Sequence, residues 1–202
     1  AGVREGYSVN TARTLLGNNP LRVLERDVKQ ENNTLKQLQP WAYRLTPTLE
    51  CLGEDSLQLE VGRCLTLHGS IDKLLIKTQR GLNRRGFICR LGLATTRNAA
   101  WLLSHGDTTI ALQFNQPLEK RLASLPITHI PATSDNGFPK VAKRLQQAGI
   151  NTCGELMALP NAAIGRRCGK PFADWIESIR RVSDDVSKDF EPPLIFRDEL
   201  WF

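Results

Sequence analysis

Residues 52–62, LGEDSLQLEVG, alternate with a period of two: Asp55, Leu57, Leu59 and Val61 fall on one side, Ser56, Gln58 and Glu60 on the other. A segment of this kind is a strand with one face turned to a core. Its register is tightly specified, because a slip of one residue would turn every aliphatic to the opposite face. Leu49 to Leu52 is the expected partner strand, and the second strand runs from Ser56 to Leu67 with Gly62 as a bulge or bend.

The flanking segments supply the cover. Residues 8–16 read as a short helix broken by Gly17, Asn18, Asn19 and Pro20, and LRVLE (21–25) reads as a short strand. Asp27 is placed to cap a helix whose apolar stripe is Val28, Leu35, Leu38, Ala42 and Leu45, with Pro40 kinking it or ending its regular part. Ser70 caps another helix, whose stripe is Ile71, Leu74, Leu75, Thr78 and Leu82 and which Gly86 stops. FICRLGLA (87–94) and TTIALQF (108–114) read as strands on either side of a helix, TTRNAAWLLSHG. Strand, helix, strand, helix, strand predicts an α/β or α+β layer on a mixed sheet.

After Pro126 the texture changes. Helices are expected from Phe138 to Ala148, from a capping box at Thr152 and Glu155, after Pro160, and after Pro171 at its N1 position. The predicted division is a layered domain over 1–126, a small helical domain over 127–182, and a linker over 183–202. The opening AGVREGYSVN and the closing FEPPLIFRDELWF read as cut points in a longer protein.

Charge narrows the function class. The net charge is +6, and between Lys73 and Gly106 stand seven basic residues and no acidic one. From Pro139 to Arg181 eight basic residues (Lys140, Lys143, Arg144, Arg166, Arg167, Lys170, Arg180, Arg181) face three acidic ones, Glu155, Asp174 and Glu177. Two basic segments ahead of an acidic tail fit a polyanion-facing surface, or else solvated helix faces. The five cysteines form no CxxC pair and the three histidines lie far apart, which fits reduced thiols in a cytoplasmic protein. No apolar run approaches the ~18 residues that span a bilayer, so no membrane partner is expected.

Five stretches in order carry a resemblance: GVREGYSVNTARTL, LECLGEDSLQLEV, CRLGLATTRNAAWLLS, LASLPITHIP and AKRLQQAGINTCGELMALP. Together they resemble the Y-family translesion DNA polymerases. With Trp41 and Tyr43 ahead of the strand motif, they are closer still to the catalytically degenerate, ImuB-like branch. The resemblance implies a Y-family palm, a mixed sheet with helices, followed by a small all-α thumb with a degenerate helix-hairpin-helix.

The active family's strand motif is Ser-hydrophobic-Asp-Glu-Ala-aromatic-Leu-Asp. The gapless match here is Gly53, Glu54, Asp55, Ser56, Leu57, Gln58, Leu59, Glu60. Asp55 stands at the family's metal-binding aspartate, whereas Ser56 replaces the neighbouring glutamate. Shifting by one to recover Glu54-Asp55 would invert the faces of the strand. Two-metal phosphoryl transfer needs carboxylates that hold two divalent ions about 4 Å apart, and a serine hydroxyl is a poor substitute. Asp55 is thus either a vestigial metal ligand or a structural carboxylate at a strand end.

What the resemblance implies is a non-catalytic adaptor in SOS-induced translesion synthesis and mutagenesis, with no cofactor. Its partners would be primer-template DNA, a RecA-like protein, the sliding clamp and a separate error-prone C-family polymerase. The alternative is an active error-prone polymerase, Mg²⁺-dependent, whose remaining ligands lie outside these residues. The expected DNA contacts are Lys140, Lys143 and Arg144, following the loop IPATSDNG, and Arg166, Arg167 and Lys170 in GRRCGKPF. Arg97 and Asn98 are not assigned to nucleotide binding, and Trp101 is expected to pack against the core.

Overall fold

The computed structural model describes residues 2–3, 6–53, 55–106, 114–130, 137–181 and 189–192. Helix α1 spans Val9–Leu16, with the Ser8 hydroxyl accepting from Thr11 N. Helix α2 spans Val28–Ala42; the Asp27 carboxylate accepts from Gln30 N, and Pro40 sits in its last turn. Residues 21–26 between them are irregular, so the strand expected at LRVLE does not form.

Strands β1 (Leu49–Leu52) and β2 (Ser56–Leu59) form an antiparallel hairpin, the one sheet among the described residues. Its register pairs Leu49 with Leu59, Glu50 with Gln58, Cys51 with Leu57 and Leu52 with Ser56. Gly53 opens the turn at φ 65°, a left-handed value that glycine adopts without a steric penalty. The second strand is shorter than its periodicity predicts. Beyond Val61 the chain winds into a 3₁₀ turn, Gly62–Cys64, and helix α3, Leu65–His68. Buried Thr46 fixes that departure, its hydroxyl donating to the Glu60 carbonyl at 2.5 Å.

Helix α4 spans Ile71–Asn83, capped by Ser70, whose hydroxyl accepts from Lys73 N. Residues 87–94 follow it as irregular chain rather than the expected strand. A strand is defined by a ladder, and the N–H groups of 88–94 make no backbone hydrogen bond to any described residue. The segment is held by other means. Gly92 lies against helix α5 (Arg97–Ser104) so closely that a Cβ would stand 2.1 Å from the Ala100 carbonyl oxygen. The buried Arg121 guanidinium donates to the Leu93 carbonyl. The fold is therefore α+β with a two-stranded sheet, and the mixed sheet expected from the sequence is not formed by the described residues. The predicted strand at 108–114 lies, except for Phe114, outside them.

Helix α6 (Leu118–Leu122) leads through a 3₁₀ turn, Ile127–His129, to α7 (Phe138–Gln147), α8 (Cys153–Met157), α9 (Asn161–Cys168) and α10 (Lys170–Arg180). The capping box at Thr152 and Glu155 forms as expected, whereas Pro171 stands one residue further into α10 than predicted, behind Lys170. One core runs from Ala99, Leu102 and Leu103 of α5 through Leu122, Ile127, Leu145, Leu156 and Ile164 to Phe172, Ile176 and Ile179. It crosses residue 126 without a break. Phe172 is 1% exposed and meets Phe138 edge-on at 5.1 Å, a contact worth about 1 kcal/mol beyond its buried area. Trp101 packs against this core and on the His105 ring, 4.2 Å between centroids, as a structural residue should.

The hairpin half leaves a groove of about 540 Å³, walled by Leu35, Leu38 and Trp41 of α2, the β2 edge, the α4 stripe and residues 87–93. Gly81 lets Trp41 close down on α4, since a Cβ there would meet the indole at 2.5 Å. Among the described residues no helix is long and apolar enough to cross a membrane.

Candidate functional site

The two basic segments of the helical half, separated by some twenty residues in sequence, meet in space. Arg144 on α7 donates from Nη2 to the carbonyl of Arg167, in the last turn of α9, at 2.9 Å. Both guanidinium groups also act on the Cys168 thiol: burial raises its pKa, and Arg144 and Arg167 pull it back down. Lys140 and Lys143 lie on the same helix as Arg144, exposed. Lys170 opens α10 directly after Arg166, Arg167 and Gly169, and part of its charge is engaged by Asp174 at 2.6 Å. The six residues expected to contact DNA thus stand along α7, in the last turn of α9 and at the start of α10.

Helix starts divide by how they are capped. Helices α1, α2, α4, α5 and α8 each have a Ser, Asp or Thr side chain accepting from a first-turn N–H. Helices α7 and α10 begin instead at Gly137 (φ 63°) and Gly169 (φ 91°), without a side-chain cap. In the first turn of α7, Pro139 has no N–H and Lys140 N bonds the Gly137 carbonyl, and in α10 Pro171 likewise has no N–H.

Residues 131–136, most of the loop expected to grip phosphate, lie outside the described residues. Beyond it, α7 ends in a Schellman turn: Ile150 N bonds Leu145 O and Gly149 N bonds Gln146 O. Asn151 then leads into the capping box, where backbone N–H groups of Asn151 and Thr152 hold the Glu155 carboxyl below its usual range. Bonds from Ile127 N to Asn151 O and from Cys153 N to Leu125 O pin this hairpin to the 125–127 segment.

At the hairpin of the sheet, Asp55 lies exposed in the turn and accepts from the Ser56 hydroxyl at 2.9 Å. The carboxylates of Glu50 and Glu60 are directed elsewhere. Glu50 forms an ion pair with Arg97, and Glu60 accepts from Gly62 N. Gln58 donates to the Arg97 carbonyl at 3.0 Å, so the polar face of the hairpin is spent on the start of α5. Among the described residues no group of three His, Cys, Asp or Glu side chains could hold a metal ion. Among the described residues the donor next to Asp55 is the neutral Ser56 hydroxyl, already bonded to it, and not a second carboxylate.

Arg97 and Asn98 have structural partners, Asn98 donating to the Ser178 hydroxyl at 2.6 Å and the neighbouring Thr96 hydroxyl to the Ile179 carbonyl at 2.8 Å. These bonds tie α5 to the end of α10, a connection that no spacing in the sequence signals. The Arg144–Arg167 contact was likewise invisible, since it depends on how α7 packs beside α9. Residues 189–192 return to the hairpin half: Asp189 accepts from the Thr48 hydroxyl, Phe190 N bonds the Pro47 carbonyl, and the Phe190 ring lies 6.0 Å from Tyr43.

No family model matches the chain. It is 25% identical over 145 residues to Protein ImuB of Caulobacter vibrioides, covering 72% of this chain and 31% of that protein. It is 28% identical over 148 residues to DNA polymerase IV of Shewanella woodyi, with 70% and 38% covered. With DNA polymerase IV of Dehalococcoides mccartyi the identity is 30% over 128 residues, with 61% and 32% covered. The chain spans about a third of the length of the curated relatives it matches.

Proposed function

We propose that this chain, an ImuB-like relative of the Y-family DNA polymerases, is a non-catalytic part of the DNA-damage machinery that holds duplex DNA while another enzyme synthesises. The observation that carries the reading is the Ser56 hydroxyl bonded to Asp55 at 2.9 Å, where an active member would place a second carboxylate. A single exposed aspartate binds one divalent ion weakly and cannot bracket the attacking and leaving oxygens of a phosphoryl transfer.

DNA contact in this reading comes from Lys140, Lys143, Arg144, Arg166, Arg167 and Lys170. Contacts of this kind address phosphates, so they position the chain on a duplex without reading its sequence. A RecA-like partner, the sliding clamp and a C-family polymerase belong to the same proposal, engaged by the protein as a whole.

The test is fluorescence anisotropy of primer-template DNA with the full-length protein across a salt titration. Wild-type affinity should fall steeply with salt. Reversing Lys140, Lys143 and Arg144 to glutamate should weaken binding and flatten the slope of log K against log salt by roughly 3, at 0.9 per phosphate contact. Unchanged affinity and slope would refute the assignment.

A further inference from the structure

Of the seven basic residues between Lys73 and Gly106, four form one stripe on α4 that the DNA reading does not use. Lys73, Lys77 and Arg80, with Arg84 at the C-cap, follow the i, i+4, i+7, i+11 spacing of a single helix face, and all four are exposed. The stripe is turned away from Ile71, Leu75, Thr78 and Leu82, which line the groove. Arg85 does not belong to it, since its guanidinium lies 5.0 Å over the Trp41 ring and donates to the Gly81 carbonyl.

None of the four cations has a carboxylate in ion-pair range among the described residues, whereas Arg26, Lys170 and Arg181 each do. Like charges at i, i+3 and i, i+4 repel, and Lys73 adds a cation to the first turn, where Asp72 is the one acidic residue. The stripe thus opposes the helix that carries it, and a row of carboxylates laid along it would remove that repulsion. Charge alone would admit nucleic acid as well as an acidic protein. The apolar residues beside the stripe decide between them. Ile76, between Lys73 and Arg80, is 50% exposed, and Leu67 of the preceding α3 is 80% exposed. Lys73 leans back over the turn between the two helices, its Cδ 3.6 Å from where a Cβ on Gly69 would stand. A phosphate backbone offers nothing to a bare isoleucine or leucine, whereas a polypeptide buries them. A second copy of this chain fits poorly, because no described helix carries more than two acidic residues.

We propose that the outer face of α4 docks an acidic amphipathic helix of a partner protein. Its carboxylates, at i, i+4, i+7 and i+11, meet the four cations, and an apolar residue among them covers Ile76. From Lys73 to Arg84 the contact runs roughly 16 Å, three turns of helix. The face is carried by α4 and not by α7, α9 or α10, so the inference does not depend on whether the protein binds DNA.

The test is fluorescence anisotropy of a labelled helical peptide with the full-length protein. The peptide carries glutamate at i, i+4, i+7 and i+11 and one leucine among them; a second peptide of equal charge has serine for the leucine. The proposal expects saturable binding, weakened about fivefold both by the serine peptide and by Ile76→Ser. Lys77→Glu with Arg80→Glu should weaken it by at least about tenfold, and changing the two facing glutamates of the peptide to lysine should restore it. That restoration also shows the variant to be folded. No saturable binding, or equal affinity for the leucine and serine peptides, would overturn the proposal. A loss of duplex DNA affinity in the same variant as large as its loss of peptide affinity would assign the face to nucleic acid and overturn the protein partner. Self-association in light scattering that this variant abolishes would assign the face to a second copy, with the same consequence.

Discussion

Replacing Gly92 with alanine places one methyl group where the fold has no room for it. The new Cβ would stand 2.1 Å from the Ala100 carbonyl oxygen and 2.5 Å from the Ser104 nitrogen, both backbone atoms of α5. No rotamer relieves contacts with backbone, so α5 must retreat by roughly 1 Å or residues 87–94 must lift away. Either movement disturbs Leu102 and Leu103, 1% and 2% exposed, on the far side of the same helix. Overpacking of this kind costs about 3 kcal/mol, the upper end of the usual range. The smaller entropy of the unfolded alanine chain returns up to ~1 kcal/mol, leaving a net loss of about 2 kcal/mol. For a chain of this size that is a drop of roughly 4–8 °C in melting temperature.

Gly165→Ala is the internal control. That glycine lies inside α9, and its added Cβ would meet the Ala173 methyl at 3.7 Å, an ordinary contact. Helix propensity alone should then stabilise by about 0.5–1 kcal/mol. Urea or thermal melts followed by circular dichroism on both variants of the full-length protein compare the two effects. A Gly92→Ala variant as stable as wild type, or more so, would refute the packing of residues 87–94 on α5.

Thr152→Ala removes the cap of α8 and should cost about 1 kcal/mol in a urea melt. Glu155, whose carboxyl is held low in the native state, contributes stability above its unfolded pKa that is lost as pH falls through the folded value; Glu155→Gln should therefore flatten the acid limb of a stability profile. Burial pushes the Cys153 thiol up to about 12 from an ordinary 9.0, so from about pH 9 upward the unfolded chain releases a proton that the native chain keeps. Stability should fall there by up to ~1.4 kcal/mol per pH unit, and Cys153→Ala should remove that part of the decline. Thiol labelling at pH 8 should modify exposed Cys51 well before Cys153.

Features decided within a few residues were legible in the sequence. Asp27, Ser70 and Thr152 cap helices because a short oxygen-bearing side chain reaches the first-turn N–H groups wherever the rest of the chain lies. The β1–β2 hairpin follows from alternation and a glycine at its turn. The 87–94 segment misled because alternating apolar residues describe a chain able to be a strand, whereas a strand also needs a neighbour to bond. The continuous core across residue 126 was hidden for a related reason. A proline and a change of helix length mark where elements end, and say nothing about whether Leu102 meets Leu122 and Ile179.

At the candidate site, residue types were legible and their meeting was not. Basic residues on α7 and α9 can be counted from the sequence, but only the packing of those helices brings Arg144 within 2.9 Å of the Arg167 carbonyl. The Asp55–Ser56 pair was readable because it rests on adjacent residues, and their 2.9 Å hydrogen bond adds the reason that the hydroxyl is not a free donor for a ligand.

Primer extension by the full-length protein, with Mg²⁺ or Mn²⁺ and primer-template DNA at concentrations where anisotropy shows it bound, tests the central claim most directly. The account predicts binding with no added nucleotide. Extension that is present in the wild type and lost in Asp55→Ala would contradict it.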